Sequence, residues 1–145
     1  MEMNANRTFI INGTAIFLPQ QRTLATFNKD RKFILYNTAS RCLLTLMENA
    51  GQTVSHQQLY HAGWEYDGRE ATPNTLYQTI SEIRKNFQQV GLENIIVTQP
   101  RCGWIINKNV VIVEVNEKES PELFLQPKKP AQPFWKVFTR KIFSR

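Results

Sequence analysis

Residues 72–87 read TPNTLYQTISEIRKNF, and their apolar side chains recur at the three- and four-residue spacing of a helix. The residues of this apolar stripe are Leu76, Ile80, Ile83 and Phe87. Thr72 is a favourable N-cap residue, Pro73 suits the first helical position, and Gly91 is placed to end the helix. The segment therefore predicts an amphipathic helix of about five turns whose apolar side is buried.

The opposite side of this helix carries neutral amide and hydroxyl groups, where solvated helices more often alternate charges of both signs. The residues on this side are Asn74, Gln78, Ser81 and Lys85. Asn and Gln amides can pair with adenine in the major groove of DNA, and a carboxylate such as that of Glu82 can accept from cytosine N4. The pattern is therefore typical of a base-reading face. Two plainer alternatives stay open: a polar surface without a partner, and an ion pair between Glu82 and Lys85.

The segments around this helix predict short strands before it and a hairpin after it. Four stretches rich in Ile, Phe, Thr and Tyr alternate with turn material in the first 36 residues, which predicts an antiparallel sheet. Residues 38–51 carry an apolar helical stripe, and residues 54–64 begin with a capping box formed by Ser55 and Gln58. Two β-branched runs flank residues 99–103, so a β-hairpin is expected there.

This order of elements describes an α+β fold of the winged helix-turn-helix type. We expect an N-terminal antiparallel four-stranded sheet, three helices of which the third is a recognition helix over residues 73–90, and a C-terminal β-hairpin wing. Residues 1–6 are assigned to an N-terminal extension and residues 7–109 to the folded domain. Residues 110–145 are assigned to a linker and a basic aromatic tail, although the run VVIVEV at 110–115 fits either a strand or an apolar linker.

The net charge of +6 is divided unevenly along the chain. Residues 1–109 carry +3, residues 110–127 carry −3 and residues 128–145 carry +6. A basic balance favours an anionic partner, either a nucleic acid or a membrane surface. The tail interleaves Lys and Arg with Phe and Trp, which fits contact with an anionic membrane surface or an arm that adds nonspecific DNA affinity.

Several other classes of protein find no support in the sequence. No apolar run approaches the roughly 18–20 residues of a membrane span, and the N-terminus does not look like a secretory signal. We therefore expect a cytoplasmic protein, held at the cytoplasmic face of the inner membrane if a span follows the tail. Cys42, Cys102, His56 and His61 match neither a disulfide framework nor a metal site, so no metal or cofactor is expected. Motifs of enzymes such as GxSxG and HExxH are absent from the sequence.

Three segments together resemble a known family of DNA-binding domains. Residues 54–64 (VSHQQLYHAGW), 72–87 and 95–104 (IIVTQPRCGW) are similar to the winged-helix domain of OmpR/PhoB-type regulators, in the ToxR/CadC-like variety without a receiver domain. The resemblance covers about residues 7–107. It implies a recognition helix in the major groove, a wing in the neighbouring minor groove, and a loop at residues 65–71 that contacts RNA polymerase. That loop fits a plain connector equally well.

The resemblance also implies which side chains meet DNA. The residues at family positions that face bases or phosphates are Asn74, Thr75, Gln78, Thr79, Glu82 and Arg84. From its own chemistry, Lys85 belongs to the same face, Arg101 in the wing suits a narrow minor groove, and Thr98 can donate to a phosphate. An exposed loop charge is the plainer interpretation of Arg101. Ser81 and Glu82 stand where many relatives are basic, so we expect a monomer to bind weakly and to gain affinity through dimerisation or tandem sites.

The sequence therefore predicts a regulator of transcription that binds double-stranded DNA in a sequence-specific manner. Its wing would lie at residues 99–103. The alternative is a protein-interaction module on a winged-helix scaffold that has lost DNA binding, because the domain itself is only mildly basic.

Overall fold

A computed structural model of the chain describes residues 7–116. In this range the chain forms three α-helices and eight short β-strands. The helices are α1 (Asn37–Glu48), α2 (His56–Gly63) and α3 (Pro73–Gln89). The strands are β1 (Arg7–Ile11), β2 (Ala15–Leu18), β3 (Thr23–Thr26), β4 (Lys32–Ile34), β5 (Val54–Ser55), β6 (Ile96–Gln99), β7 (Gly103–Ile106) and β8 (Ile112–Asn116). The predicted order of strands, three helices and a hairpin is confirmed.

The first four strands form the predicted antiparallel sheet, and β8 adds a fifth strand beside β1. The strand order is β4–β3–β2–β1–β8, with Ile11 opposite Ile112. The boundary placed after residue 109 therefore falls before a strand of the sheet, and β8 belongs to the folded domain instead of the linker. Ile112 enters the main core while Val113 and Val115 face the other side of the sheet, so the run is apolar on both sides. Such a run lacks the alternation that marks a strand in sequence.

Arg7 fixes β8 to the rest of the domain. Its Nε donates to Glu114 of β8 and its Nη1 donates to Glu48 of α1, each at 2.6 Å. The hydrogen bond to Glu114, supported by Glu48, raises the pKa of Arg7 above its ordinary value although partial burial opposes the shift. Arg7, which lies in β1, thus links the last strand, β8, to the first helix, α1.

The main core lies between this sheet and the three helices. The predicted inward stripe of α3 is confirmed, because its four apolar side chains are at most 2% exposed. The sheet and α1 supply other fully buried side chains, among them Phe9, Phe17, Leu43 and Leu46. Cys42 is also buried there, as expected of a small core residue, and burial raises the pKa of its thiol to about 12.

The C-terminal hairpin forms a second, three-stranded sheet in the order β5–β7–β6. Its β7 strand pairs with β5, which directly precedes α2, so Val54 lies opposite Trp104 and Ser55 opposite Gly103. Gly103 has a φ of +145°, and a Cβ there would lie 2.0 Å from the carbonyl oxygen of Val54. Only glycine permits this close approach, which holds the wing against the start of the helix-turn-helix.

Some predicted segments lie outside the described residues. These are the N-terminal extension at residues 1–6 and the part of the linker and basic tail at residues 117–145. The expected contact of the tail with an anionic membrane surface falls in this second segment. Within residues 7–116, none of the helices has the length and apolar character that a bilayer crossing requires.

Candidate nucleic-acid interface

The outward face of α3 presents the polar side chains that its sequence pattern predicted. The exposed residues on this face are Asn74, Gln78, Ser81, Glu82 and Lys85. The helix begins at Pro73, and the Thr72 hydroxyl caps it by accepting from the Thr75 N–H at 3.1 Å. Because the apolar stripe is locked in the core, the rotation of α3 is fixed and this face points to solvent. In the described part of the chain, Glu82 and Lys85 do not form the ion pair that the sequence left open.

Thr75 and Thr79 lie at the edge of this face and are half-buried. The Thr79 hydroxyl donates to the Thr75 carbonyl oxygen at 3.0 Å, and the Thr75 and Thr72 hydroxyl oxygens lie 2.9 Å apart. A hydroxyl that donates within the helix keeps lone pairs free to accept. The DNA contacts of these two threonines stay predictions, and a phosphate, which offers only acceptors, fits Thr79 less well than a base donor.

Arg84 joins α3 to the wing. Its guanidinium donates to the Ile96 carbonyl oxygen through Nε at 3.3 Å and Nη2 at 3.0 Å, and Nη2 also donates to the Thr98 hydroxyl at 3.0 Å. Partial burial lowers the pKa of Arg84 from its ordinary value. The sequence assigned Arg84 to contacts with bases or phosphates and Thr98 to a phosphate, and the structure brings the two side chains together. Their DNA contacts stay predictions. The Thr98 hydroxyl accepts from Arg84 and so keeps its own proton to donate.

The tip of the wing is a tight turn over residues 99–102. The Cys102 N–H donates to the Gln99 carbonyl oxygen at 2.9 Å, with Pro100 at the second position and Arg101 at the third. Arg101 has a φ of +68° and is exposed. A turn of this kind normally takes glycine at its third position, so an arginine there is held against conformational strain. Strain of this kind is a pointer to function.

An aromatic cluster of Trp104, Tyr77 and His56 joins β7, α3 and α2 beneath this tip. The Trp104 ring centroid lies 4.8 Å from that of His56 and 5.9 Å from that of Tyr77. Trp104 is 4% exposed, whereas Tyr77 is 51% exposed. The three rings line a cleft of about 230 Å³ between α3 and the wing, whose walls also include Thr98 and Arg101. Tyr77 was not among the predicted site residues, although an aromatic next to Gln78 in the helical pattern was a usable signal.

The loop at residues 65–71 is held against α1. The Arg41 guanidinium carbon lies 3.6 Å from the centroid of the Tyr66 ring, and Asn37 Nδ2 donates to the Tyr66 hydroxyl at 2.8 Å. Arg41 Nε also donates to the Ala62 carbonyl oxygen at 2.7 Å, near the end of α2. The loop thus has a defined position against α1, directly before α3, while the side chains of residues 65–70 stay exposed.

The described residues offer no evident metal site. Between residues 7 and 116, no three side chains of His, Cys, Asp or Glu come together in a way that could hold a metal ion. The two free cysteines differ in burial, since Cys42 is buried and Cys102 is exposed. The chemistry that this surface offers is therefore hydrogen bonding and charge, supplied by amides, hydroxyls, lysine and arginine.

Residues 30–106, more than half of the chain, match the family model of the C-terminal domain of transcriptional regulatory proteins. The uncharacterised protein YqeI of Escherichia coli strain K12 is 38% identical over 107 residues, which make up 72% of this chain and 40% of that protein. The chain thus spans less than half the length of this relative.

Solved structures share the fold. The DNA-binding domain of E. coli CadC matches with a TM-score of 0.59 at 20% identity, over 70% of this chain and 94% of that domain. The DNA-binding domain of Klebsiella pneumoniae RstA, solved in complex with the RstA box, matches with a TM-score of 0.51 at 18% identity, over 65% of this chain and 91% of that domain. The chain belongs to the family of transcriptional regulatory protein C-terminal domains, the OmpR/PhoB-type winged-helix DNA-binding domains.

Proposed function

We propose that this domain recognises specific double-stranded DNA sequences, with α3 in the major groove and the wing tip at residues 99–102 in the neighbouring minor groove. The observation that carries the proposal is the pairing of two exposed features across one cleft. One is the amide-bearing face of α3, and the other is Arg101 at the tip of the wing. The solved complex of RstA with its DNA box supports the placement by analogy of fold.

We assign base recognition to the exposed polar residues along the outward face of α3. Asn74 and Gln78 are exposed and one turn apart, so both can face the same groove. Each amide can make the paired donor and acceptor contact that selects adenine. Glu82, one further turn along, is an acceptor suited to cytosine N4. Lys85 at the end of this row supplies a positive charge for a phosphate or a guanine edge.

The wing contributes charge where the minor groove is narrow. Its tip carries Arg101 on a short turn, and a planar guanidinium suits the strong negative potential of an A·T-rich minor groove. The position of the tip relative to α3 is set by Arg84 and by the Trp104 ring against Tyr77. A rigid connection of this kind fixes the distance between the two contacted grooves, so it supports recognition of one continuous site.

The loop at residues 65–71 is proposed as a contact for RNA polymerase. Its ordered position against α1, directly before the proposed recognition helix α3, and its exposed side chains support this role, since a protein bound there would lie near the DNA. If the loop is only a connector, replacing the exposed Glu70 by alanine leaves both DNA affinity and transcription from a promoter template unchanged. If the loop contacts RNA polymerase, the same replacement leaves DNA affinity unchanged and alters transcription.

The test of DNA binding is a mobility shift of a duplex taken from upstream of the gene for this chain, titrated with salt. A domain that neutralises phosphates loses affinity steeply between 50 and 200 mM salt, with a slope of about −0.9 for each phosphate. A scrambled duplex measures the specific part of the binding. If no duplex is bound even at low salt, the proposal fails, and the alternative of a winged helix that docks a protein partner takes its place.

A further inference from the structure

Tyr77 is the exception to the burial of apolar side chains in α3. The four residues of the inward stripe are at most 2% exposed, whereas Tyr77 is 51% exposed. Aromatic side chains of this kind carry a large apolar surface beside a polar tip, and they are enriched where proteins contact a partner. The exposed ring of Tyr77 therefore fits a partner that offers an apolar group of its own.

The Tyr77 ring lies on the side of α3 that faces the wing. Its centroid is 5.9 Å from that of Trp104 in β7 and 6.2 Å from that of His56 in α2, and both contacts are edge-to-face. On a helix, the surface neighbours of residue 77 are residues 74 and 81, three positions before it and four after it. These are Asn74 and Ser81 of the exposed polar face. The ring thus borders the predicted base-reading face along its wing side, and its aromatic contacts restrict its movement.

The DNA strand that would meet this ring follows from the two grooves. If α3 lies in the major groove and the wing tip in the neighbouring minor groove, one sugar–phosphate backbone separates them. That backbone must cross the cleft between α3 and the wing, whose walls include Tyr77 and Arg101. The wing side of α3 then faces the base edges of this strand, here called the dividing strand. The apolar group that a base edge offers in the major groove is the 5-methyl group of thymine, which lies near the backbone of its own strand.

We propose that Tyr77 contacts the 5-methyl group of a thymine on the dividing strand and makes the site selective for thymine at that position. The inference rests on the proposed placement of α3 and the wing in the two grooves. The proposed site already favours A·T pairs, because Asn74 and Gln78 offer amides to adenine and Arg101 suits a narrow minor groove. A ring that Trp104 already restrains also loses little side-chain freedom when it binds.

Two other roles of Tyr77 predict different behaviour. A hydroxyl that donates to a phosphate of the dividing strand would act alike at every nucleotide, and its contact would be lost in Tyr77→Phe. A ring that only supports Trp104 would, when removed, weaken binding to every duplex by the same factor. Contact with the methyl group differs from both, because it depends on the ring and on the base that the ring meets.

Replacement of thymine by uracil tests the contact, because deoxyuridine pairs as thymidine does and lacks only the 5-methyl group. The full-length protein is titrated with the duplex that it binds specifically, in which each thymine is replaced in turn. We expect one or two neighbouring replacements, all on one strand, to weaken binding about fourfold, the value of one buried methyl group. Tyr77→Phe should keep this dependence, whereas Tyr77→Ser should bind the thymine and uracil duplexes equally.

Tyr36→Ser is the matched control for loss of an exposed tyrosine. Tyr36 is 74% exposed and lies directly before α1, outside α3 and the wing. This variant should keep the full dependence on the methyl group. Circular dichroism reports that each variant is folded.

Three outcomes would overturn the contact. The first is a dependence on the methyl group that is absent, or that is equal in Tyr77→Ser and the unaltered protein. The second is a loss of affinity in Tyr77→Phe that is the same for thymine and uracil duplexes, which would mean a phosphate contact. The third is a set of Tyr77-dependent thymines on both strands. Failure to bind any duplex specifically would instead refute the proposed function itself, and this inference with it.

Discussion

Arg101 combines a strained backbone with an exposed positive charge, so its replacement by glycine separates stability from DNA binding. Its φ of +68° lies in the left-handed region, which costs an ordinary residue roughly 1–2 kcal/mol. Glycine avoids that cost but loses about 0.5–1 kcal/mol through the greater entropy of its unfolded chain. Arg101→Gly is therefore expected to raise the free energy of unfolding by up to about 1.5 kcal/mol, with roughly 4 °C in Tm for each kcal/mol in a domain of this size.

The same change should weaken DNA binding. If Arg101 neutralises one phosphate, its loss reduces the salt slope of log K by about 0.9. Relative to 1 M salt, that slope corresponds to about eightfold weaker binding at 0.1 M, or about 1.2 kcal/mol. The substitution is thus expected to stabilise the protein and to impair its function, two effects of opposite sign from one side chain.

Thermal unfolding by circular dichroism and duplex binding by fluorescence anisotropy at 50–200 mM salt measure the two effects. Lys29→Gly is the matched control, because Lys29 is also exposed with a φ of +65° but lies in the turn between β3 and β4. The control removes the same charge and the same kind of strain in a turn outside the wing. If both variants reduce the salt slope equally, Arg101 acts only through net charge and the assignment of the wing to the minor groove is refuted.

Gln78→Ala should relax base preference at one position of the site by about 1–3 kcal/mol, because it removes one paired contact, as measured by competition with single-base variants of the duplex. Ile83→Asp should prevent folding, because it buries an unpaired charge in the core where Ile83 is fully buried, and circular dichroism would report the loss. Cys42→Ala should flatten the dependence of stability on alkaline pH. The folded thiol keeps its proton to about pH 12 and the unfolded thiol loses it near 9.0, so the native state binds more protons and loses up to ~1.4 kcal/mol per pH unit across that window.

Each of these outcomes has a control or a contrary result. Gln21→Ala, in an exposed turn of the N-terminal sheet, should leave base preference intact, and unchanged preference in Gln78→Ala would remove that amide from the site. A folded Ile83→Asp would mean that α3 is rotated differently. For Cys42, urea unfolding between pH 9 and 12 compares the two proteins, and parallel curves would show that the thiol does not ionise on unfolding.

The features that sequence predicted best are those set by neighbours along the chain. The inward stripe of α3 and its start at Thr72 follow from helical spacing and N-cap chemistry, which act within a few residues. The strand β8 was ambiguous because residues 110–113 are apolar without alternation, and its pairing with β1 joins residues about a hundred positions apart. No local pattern distinguishes such a strand from an apolar linker.

In the candidate site, too, the positions set by local sequence were predictable and those set by distant contacts were not. Asn74 and Gln78 were placed correctly on the exposed side because helix geometry alone decides it. The hydrogen bonds of Arg84 to Ile96 and Thr98 could not be read from the sequence, since they depend on how the wing folds back on α3. An arginine next to the predicted base-reading face looks the same in sequence whether it contacts DNA or stabilises the position of the wing.

The hydrogen bonds of Arg84 to the wing limit how tightly one domain can bind DNA. Its guanidinium is half-buried and shares its Nε and Nη2 donors with protein acceptors, so only part of it can meet a phosphate. On the exposed face of α3, the charge of Lys85 is offset by that of Glu82. Arg101 is then the main cation that the helix and wing together present to DNA. Since nonspecific affinity grows with the number of phosphates neutralised, we expect a single copy to bind weakly and adjacent copies on tandem half-sites to provide the missing contacts.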